Sequence, residues 1–160
     1  MRIFFKEIYE VWDTIAYFDG VVNNHFTNLT ETIVPDGVRL TVSTQNNCVF
    51  KKGDTQLFIP TNNDFCIEFD IINSNNFALY LIKANNTRYK QIGSEIHQTS
   101  VFKNHKFKYS NGQVKMYEDD VLKLTTDNVS ITDVDNVGFC FVDWQADMDC
   151  TIKNLRIYPI

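Results

Sequence analysis

The segment from residue 104 to residue 124 constrains the fold more than any other part of the chain, because it predicts two consecutive hairpins. Asn111-Gly112 separates two alternating runs, and this dipeptide favours a two-residue type I′ turn in which both residues have positive φ. The turn sets three cross-strand pairs: Tyr109 with Val114, Phe107 with Met116, and Lys108 with Lys115. One face of this hairpin is then apolar and the other is basic.

A second hairpin follows if Glu118-Asp119-Asp120 forms a three-residue loop. That loop pairs residues of the middle and last strands as follows: Met116 with Leu122, Val114 with Leu124, and Lys115 with Lys123. The apolar face and the basic face both continue without conflict in this register. The sequence therefore predicts a three-stranded meander with both leucines on its apolar face.

Alternating segments elsewhere predict an all-β chain. Val38, Leu40 and Val42 alternate with polar residues after the turn Pro35-Asp36-Gly37, as in a half-buried strand. Further strands are predicted near residues 56–59, 65–72, 77–83, 89–92, 99–102, 137–144 and 151–158. About ten strands without a βαβ pattern favour an antiparallel sandwich. We expect a single domain over residues 1–160, in which residues 1–16 form either a short helix or the start of the first strand.

The hairpins and the C-terminal segment resemble the concanavalin A-like jelly rolls, a superfamily of lectins, laminin G-like domains and glucanases. The resemblance rests on His105, Phe107, the Asn-Gly turn, and the run from Tyr117 to Asp120, where the family usually has Tyr-x-Asp-Gly. Residues 134–160 are similar to the family's closing strand pair, which ends in Arg-Ile-Tyr-Pro. The resemblance implies a jelly-roll β-sandwich of two sheets over about residues 18–160 and makes carbohydrate binding an expected function.

Charge and hydropathy exclude several classes of partner. The net charge of −5 at pH 7 argues against nucleic acid, because phosphate binding requires a basic surface. No apolar run is long enough to predict membrane insertion. Lys6, Glu7 and Glu10 interrupt the apolar start of the chain, so it is not a signal peptide. We therefore expect synthesis in the cytoplasm, with a final place on a virion or another surface as one interpretation.

The four cysteines lack the spacing of a zinc site. We expect four reduced thiols, and Cys66 and Cys140 fall within predicted strands, where a thiol commonly packs as a small apolar group. If one disulfide forms, the pair Cys140 and Cys150 is the most plausible.

Glu68 and Asp70 are the first candidates for catalysis, because residues at i and i+2 of a strand project from the same face. Retaining glycosidases need two carboxyl groups roughly 5–5.5 Å apart. The resembled family 16 glucanases carry Glu-x-Asp-x-x-Glu, but Asn73 stands here in place of the second Glu. The sequence therefore predicts no catalytic residue; the pair belongs to a polar strand face, and a glycoside hydrolase remains a minor alternative.

A metal site is a further hypothesis. Asp143, Asp147 and Asp149 lie close together before the final strand, and calcium takes several oxygen ligands. The resembled jelly rolls often hold Ca²⁺ near their terminal strands. The alternatives are a structural calcium ion and a solvated acidic loop; no other cofactor is expected.

Aromatic and polar side chains provide candidates for sugar recognition, which combines aromatic rings with hydrogen-bonding groups. Trp144, at the end of a predicted strand, is the leading candidate. Tyr80, Arg88 and Tyr89 lie on predicted neighbouring elements.

The basic face of the hairpin gives a second candidate surface. It carries Lys106, Lys108, Lys115 and Lys123, with Tyr117 among them. This face is either an ordinary solvated surface or a site for an anionic polymer, such as a uronic or phosphorylated one.

The sequence as a whole favours a noncatalytic, lectin-like module that binds an oligosaccharide or polysaccharide on a viral, phage or cell surface. The alternative is an assembly protein of a virion or adhesin array without glycan affinity. In that case Ile8, Val11 and Trp12 of the N-terminal segment would mediate a homo-oligomer or a larger assembly.

Overall fold

The computed structural model describes residues 21–23, 29–42, 47–52, 55–56, 59–60, 64–82, 88–129, 131, 136–143 and 148–160. The helix predicted within residues 1–16 lies outside these ranges, as do Trp144 and Asp147. Over the described ranges the chain is all strand, turn and loop, so no helix there is long and apolar enough to cross a membrane.

The described residues form fourteen strands. In chain order they are β1 (Val21–Asn23), β2 (Leu29–Val34), β3 (Gly37–Val42), β4 (Asn47–Lys52), β5 (Thr55–Gln56), β6 (Ile59–Pro60), β7 (Phe65–Asn73), β8 (Phe77–Ile82), β9 (Arg88–Ile96), β10 (Thr99–Ser110), β11 (Gln113–Glu118), β12 (Val121–Thr126), β13 (Asn136–Asp143) and β14 (Met148–Pro159).

These strands make two antiparallel sheets, as the sequence predicted for a jelly-roll sandwich. Sheet 1 has the order β1-β4-β13-β8-β9, with β5 beside β4 and β6 beside β13. Sheet 2 has the order β12-β11-β10-β7-β14-β3-β2. Two boundaries differ from expectation: Gln56 ends one short strand and Ile59 begins another, and residues 99–110 form one long strand with an irregularity between Thr99 and Lys103.

The core lies between the two sheets, and strand alternation explains its membership. On the central strand β7, Phe65, Ile67, Phe69 and Ile71 are all buried and face sheet 1. Leu79 and other buried residues of sheet 1 pack in the same cluster. The predicted apolar face of β7 is therefore confirmed.

The first predicted hairpin register is also confirmed. Asn111 and Gly112 have φ values of 49° and 75°, as a type I′ turn requires. Tyr109, Phe107 and Lys108 pair with the three partners expected from the sequence.

The predicted register of the second hairpin is wrong. Asp119 and Asp120 have φ values of 48° and 63° and make a two-residue turn, which pairs Tyr117 with Leu122. A bulge after this pair shifts the register, so that Met116 pairs with Leu124. Leu122 therefore leaves the predicted apolar face and is 50% exposed.

Contacts with β10 explain this tighter turn. The backbone N–H of Asp119 donates to the carbonyl of Asn104 at 2.9 Å, and the Asp119 carboxylate accepts the Asn104 N–H at 3.0 Å. Lys103 adds an ion pair to the same carboxylate at 2.6 Å. These bonds join the turn to the neighbouring strand and stabilise left-handed backbone at two aspartates, which tolerate it better than most residues.

Cys66 and Cys150 are buried thiols, so the disulfide considered between Cys140 and Cys150 does not form. Cys140 pairs with Tyr80 in sheet 1, whereas Cys150 pairs with Leu40 in sheet 2.

His105 is an imidazole in the core, 1% exposed and next to the ring of Phe69. Its Nδ1 is buried and has no hydrogen-bond partner within the described part of the chain. Burial lowers the pKa of His105, although Glu118, Asp119 and Asp70 act in the opposite direction. The neutral ring is therefore the form that the fold accepts.

Acid should weaken the fold through this histidine. The folded state lowers the pKa of His105 below the ordinary value of 6.5. The contribution of the neutral imidazole to stability is therefore complete above pH 6.5 and is lost as the pH falls from there through the pKa of His105 in the folded protein. Urea unfolding at pH 8 and pH 5 should show a smaller acid-induced loss for His105→Leu than for the wild type. The control is His97→Leu at an exposed histidine; equal pH dependence of wild type and His105→Leu would contradict the prediction.

Candidate functional site

The outer face of sheet 2, which points away from the core, carries many polar side chains that could bind a ligand. On β7 the residues between the core positions project there, and the neighbouring strands add cross-strand partners. The outer face of sheet 2 includes the side chains of Arg39, Cys66, Glu68, Asp70, Ile72, Phe102, Asn104, Lys106, Lys108, Lys115, Tyr117, Lys153, Arg156 and Tyr158.

Glu68 is the centre of a polar network in the middle of this face, and its side chain is only 7% exposed. Arg156 donates to its carboxylate at 2.6 Å and Tyr158 at 2.9 Å. Lys106 lies 3.8 Å away and also pairs with Asp120 at 2.8 Å. A buried carboxylate is stable only with such partners, so this network has a structural role.

Asn104 joins the two carboxylates that were considered for catalysis. Its amide donates to Glu68 at 3.2 Å and to Asp70 at 2.9 Å, while Asn154 donates to Asp70 at 2.6 Å. The predicted projection of Glu68 and Asp70 from one face is thus observed. Asn73, at the position of the second glucanase Glu, is buried and points to the opposite side of the strand.

Cys66 and Tyr158 lie beside this network. Burial raises the pKa of the Cys66 thiol to about 11, and a hydrogen bond with Tyr158 partly opposes this effect. Burial also raises the pKa of Tyr158 above its ordinary value, with Cys66 and then Glu68 adding to the increase. Both groups are neutral at physiological pH, which leaves the phenol as a donor to Glu68 and the thiol as a poor nucleophile.

A groove with a volume of about 540 Å³ lies at one end of the same face. Arg39 and Ile72 line it from the sheet, and Phe102 from the start of β10. Asn73 and Gln98 lie at its other side. The groove therefore combines an aromatic ring and an aliphatic side chain with a guanidinium and amides.

Asn73 contributes a buried acceptor at this groove. Its amide nitrogen donates to the carbonyls of Asn75 at 2.6 Å and His97 at 3.2 Å, which holds two loops together. Its Oδ1 is buried and accepts no hydrogen bond from the described residues. Because the side chain is buried, Asn73 shapes the wall of the groove through these two bonds and does not itself face a ligand.

Asp149, one of the three predicted calcium ligands, lines the groove as a partner of Arg39. The two side chains form a bidentate ion pair with distances of 2.9 and 2.5 Å. Arg39 lowers the pKa of Asp149, mainly through this hydrogen bonding. The Asp143 side chain and Asp147 lie outside what the structure describes, so the calcium site stays a prediction.

The predicted basic surface is partly neutralised. Lys106 and Lys123 each have a carboxylate partner, Asp120 and Glu118 respectively. Lys115 lies opposite Thr125 rather than the predicted Lys123. Lys108 is still opposite Lys115, and its ammonium group lies 5.4 Å from the centre of the Tyr117 ring.

The remaining predicted binding residues fall on the other sheet. Tyr80 projects from β8 of sheet 1, where its hydroxyl donates to Gln91 at 3.0 Å. Arg88 and Tyr89 begin β9 in the same sheet. The structure therefore does not bring Tyr80 together with Lys108 and Tyr117, because the two groups belong to different sheets of the sandwich.

No family model and no curated protein matches this chain. Several solved structures share its fold. The carbohydrate-binding module CBM66 from Bacillus subtilis has a TM-score of 0.57 and 16% identity over 87% of this chain and 95% of that one. An alginate lyase from Corynebacterium sp. has a TM-score of 0.59 and 9% identity over 85% and 82%. The family 29 module CBM29-2, as a variant complexed with cellulohexaose, has a TM-score of 0.51 and 13% identity over 88% and 81%.

Carbohydrate-binding modules and alginate lyases share this fold. At these sequence identities the similarity establishes the fold and leaves the ligand to be inferred from the side chains. The structure adds Arg39 and Phe102, which the sequence did not single out for binding. Alternation in β3 could have placed Arg39 on an outward face, but nothing local predicts that Phe102 lies at the same groove.

Proposed function

We propose that this chain is a noncatalytic carbohydrate-binding module of the concanavalin A-like type, with its ligand in the groove on the outer face of sheet 2. The groove's composition carries the proposal. Phe102 and Ile72 offer apolar surface for the face of a sugar ring, while Arg39 and Gln98 offer polar groups for its hydroxyls. The carbohydrate-binding modules that share the fold support this assignment.

The noncatalytic part of the proposal rests on the state of the carboxylates. Glu68 and Asp70 share the Asn104 amide, and Glu68 also accepts hydrogen bonds from Arg156 and Tyr158. A glycosidase needs one carboxyl group to donate a proton and another to attack the sugar or activate water. Glu68 and Asp70 are held by donors within the protein, which favours a role in a rigid binding surface over a role in glycoside hydrolysis.

Replacing Phe102 by alanine should weaken binding of the best neutral or acidic polysaccharide found on a glycan array by at least about tenfold, or ~1.4 kcal/mol. The reason is loss of the only aromatic ring known to line the groove among the described residues. Isothermal titration calorimetry of the wild type and the variant measures the effect. Release of reducing ends or unsaturated products from the same polymer should be absent.

Two further variants test the location of the site. Tyr80→Ala is the control, because Tyr80 is an aromatic residue on sheet 1 and its loss should leave affinity within about twofold of the wild type, a difference of ~0.4 kcal/mol. Trp144→Ala tests the residue that the sequence favoured. Loss of binding in Tyr80→Ala or Trp144→Ala but not in Phe102→Ala would reject this groove. Silence across the array would reject carbohydrate binding and favour the assembly role.

A further inference from the structure

Several acidic side chains on or beside the outer face of sheet 2 already have partners within the protein, although the whole chain has a net charge of −5. Each of the following has a cationic or amide partner: Glu68 with Arg156, Asp70 with Asn104, Asp119 with Lys103, Asp120 with Lys106, Glu118 with Lys123, and Asp149 with Arg39. Five of these six carboxylates pair with a lysine or an arginine, so much of the negative charge near this face is compensated; Asp70 has amide partners, and the exposed Asp36 lines the groove.

Three lysines on this face, Lys108, Lys115 and Lys153, form no ion pair with the carboxylates that the structure describes. Two of them, Lys108 and Lys153, lie over an aromatic ring. The Lys108 ammonium is 5.4 Å from the centre of the Tyr117 ring, and that of Lys153 is 3.8 Å from the centre of the Phe102 ring. These are cation–π distances, which hold an ammonium group near a ring without neutralising its charge.

Each lysine–aromatic pair matches the chemistry of a sugar acid. The ammonium group over the ring offers a charge-assisted hydrogen bond to a carboxylate, and the part of the ring that the lysine does not cover offers apolar surface for a pyranose. Lys115, exposed and directly opposite Lys108, increases the positive potential there. Like charges in directly opposite positions destabilise a sheet, and a bound anion would relieve that repulsion.

The separation of the two pairs favours a polymer over a single sugar. Lys153 lies beside Asp70, and Lys108 lies beside Cys66 on the opposite side of β7. Four residues along this strand and two strand spacings across the sheet place the Cα atoms of the two lysines roughly 17 Å apart. One monosaccharide cannot contact both lysines, whereas an extended chain can.

We propose that the ligand is an acidic polysaccharide of the polyuronate class, which binds across the outer face of sheet 2 with Lys153–Phe102 and Lys108–Tyr117 as two subsites. This inference rests on the proposed function and makes it specific. It extends the ligand from the groove, where Phe102 lies, over the Glu68 network to the first hairpin.

The test compares polygalacturonate and polyglucuronate with their methyl esters, which keep the sugar backbone and lack the charge. Affinities are measured by calorimetry at 20 and 200 mM NaCl for the wild type, Lys108→Gln, Lys153→Gln and the double variant. Lys123→Gln is the matched control, because it changes the net charge equally at a lysine that already has an internal partner. Thermal unfolding verifies that each variant folds.

The wild type should bind at least one polyuronate at least tenfold more tightly than its ester, and more weakly at the higher salt concentration. Each single variant should lose several-fold in affinity, the double variant should lose most of the preference for the acid, and Lys123→Gln should match the wild type. Equal binding of acid and ester, an unaffected double variant, or an equal loss in Lys123→Gln would overturn the proposal.

Failure of this inference is distinguishable from failure of the proposed function. Binding of a neutral polysaccharide that depends on Phe102, without binding of polyuronates, would reject the acidic ligand and retain the groove as a carbohydrate site. Absence of binding to both neutral and acidic polymers would reject both proposals together.

Discussion

Phe107→Ala should lower the free energy of unfolding by about 3–5 kcal/mol, the range for removing a large aromatic side chain from a core. Phe107 is 1% exposed and packs against Phe69, with ring centres 6.1 Å apart. Gly93 of sheet 1 approaches so closely that an added Cβ would lie 2.7 Å from the Phe107 ring. Because both sheets contact this ring, its loss leaves a cavity that neither can fill. Urea unfolding monitored by circular dichroism measures the change.

Leu122→Ala is the control for this prediction and also tests the hairpin register. The sequence placed Leu122 on the apolar face, whereas the structure leaves it 50% exposed opposite Tyr117. Its truncation should therefore change stability by no more than about 0.5 kcal/mol, as is usual for surface positions. A loss of several kcal/mol at Leu122, or a small effect at Phe107, would contradict the observed arrangement.

Glu68→Ala should destabilise the protein by about 2–3 kcal/mol, because it removes a hydrogen-bonded carboxylate and leaves its donors without an acceptor. The buried Nε of Arg156 already lacks a partner among the described residues. Arg156 is 39% exposed, so water can solvate part of the freed guanidinium. The loss should consequently be smaller than the about 3–5 kcal/mol for breaking a fully buried pair.

Asp120→Asn is the matched control for Glu68→Ala. Asp120 pairs with Lys106 of the same network, but its side chain is 83% exposed, and the unfolding midpoint should hardly change. Chemical denaturation of both variants separates the two outcomes. If Glu68→Ala is as stable as Asp120→Asn, the network does not hold strands β7, β10 and β14 together as inferred.

Local sequence predicted those parts of the fold in which neighbouring residues contain all the necessary information. The Asn111-Gly112 turn requires positive φ at two adjacent positions, and this requirement sets the pairing of Phe107 with Met116. The second turn was predicted incorrectly because Asp119 is held by Asn104, which belongs to a different strand. A register that depends on such a contact cannot be deduced from the hairpin alone.

The candidate site was less predictable than the fold. Lys108 and Tyr117 were identified from the hairpin register, and the structure places them in contact. Arg39 and Asp149 are 110 residues apart in the chain, yet they form one bidentate pair at the groove. Phe102 joins them there only because β10 crosses sheet 2 next to β7.

The sequence by itself determined which side chains share a face of each strand, since alternation has a period of two residues and needs no knowledge of neighbouring strands. It thereby placed Phe69 and Ile71 in the core and Glu68 and Asp70 opposite them. Only the tertiary structure decided which strands became neighbours, and therefore which side chains meet. The pairing of β7 with β10 and β14 brings distant residues together through backbone hydrogen bonds, which carry no side-chain signature in the sequence.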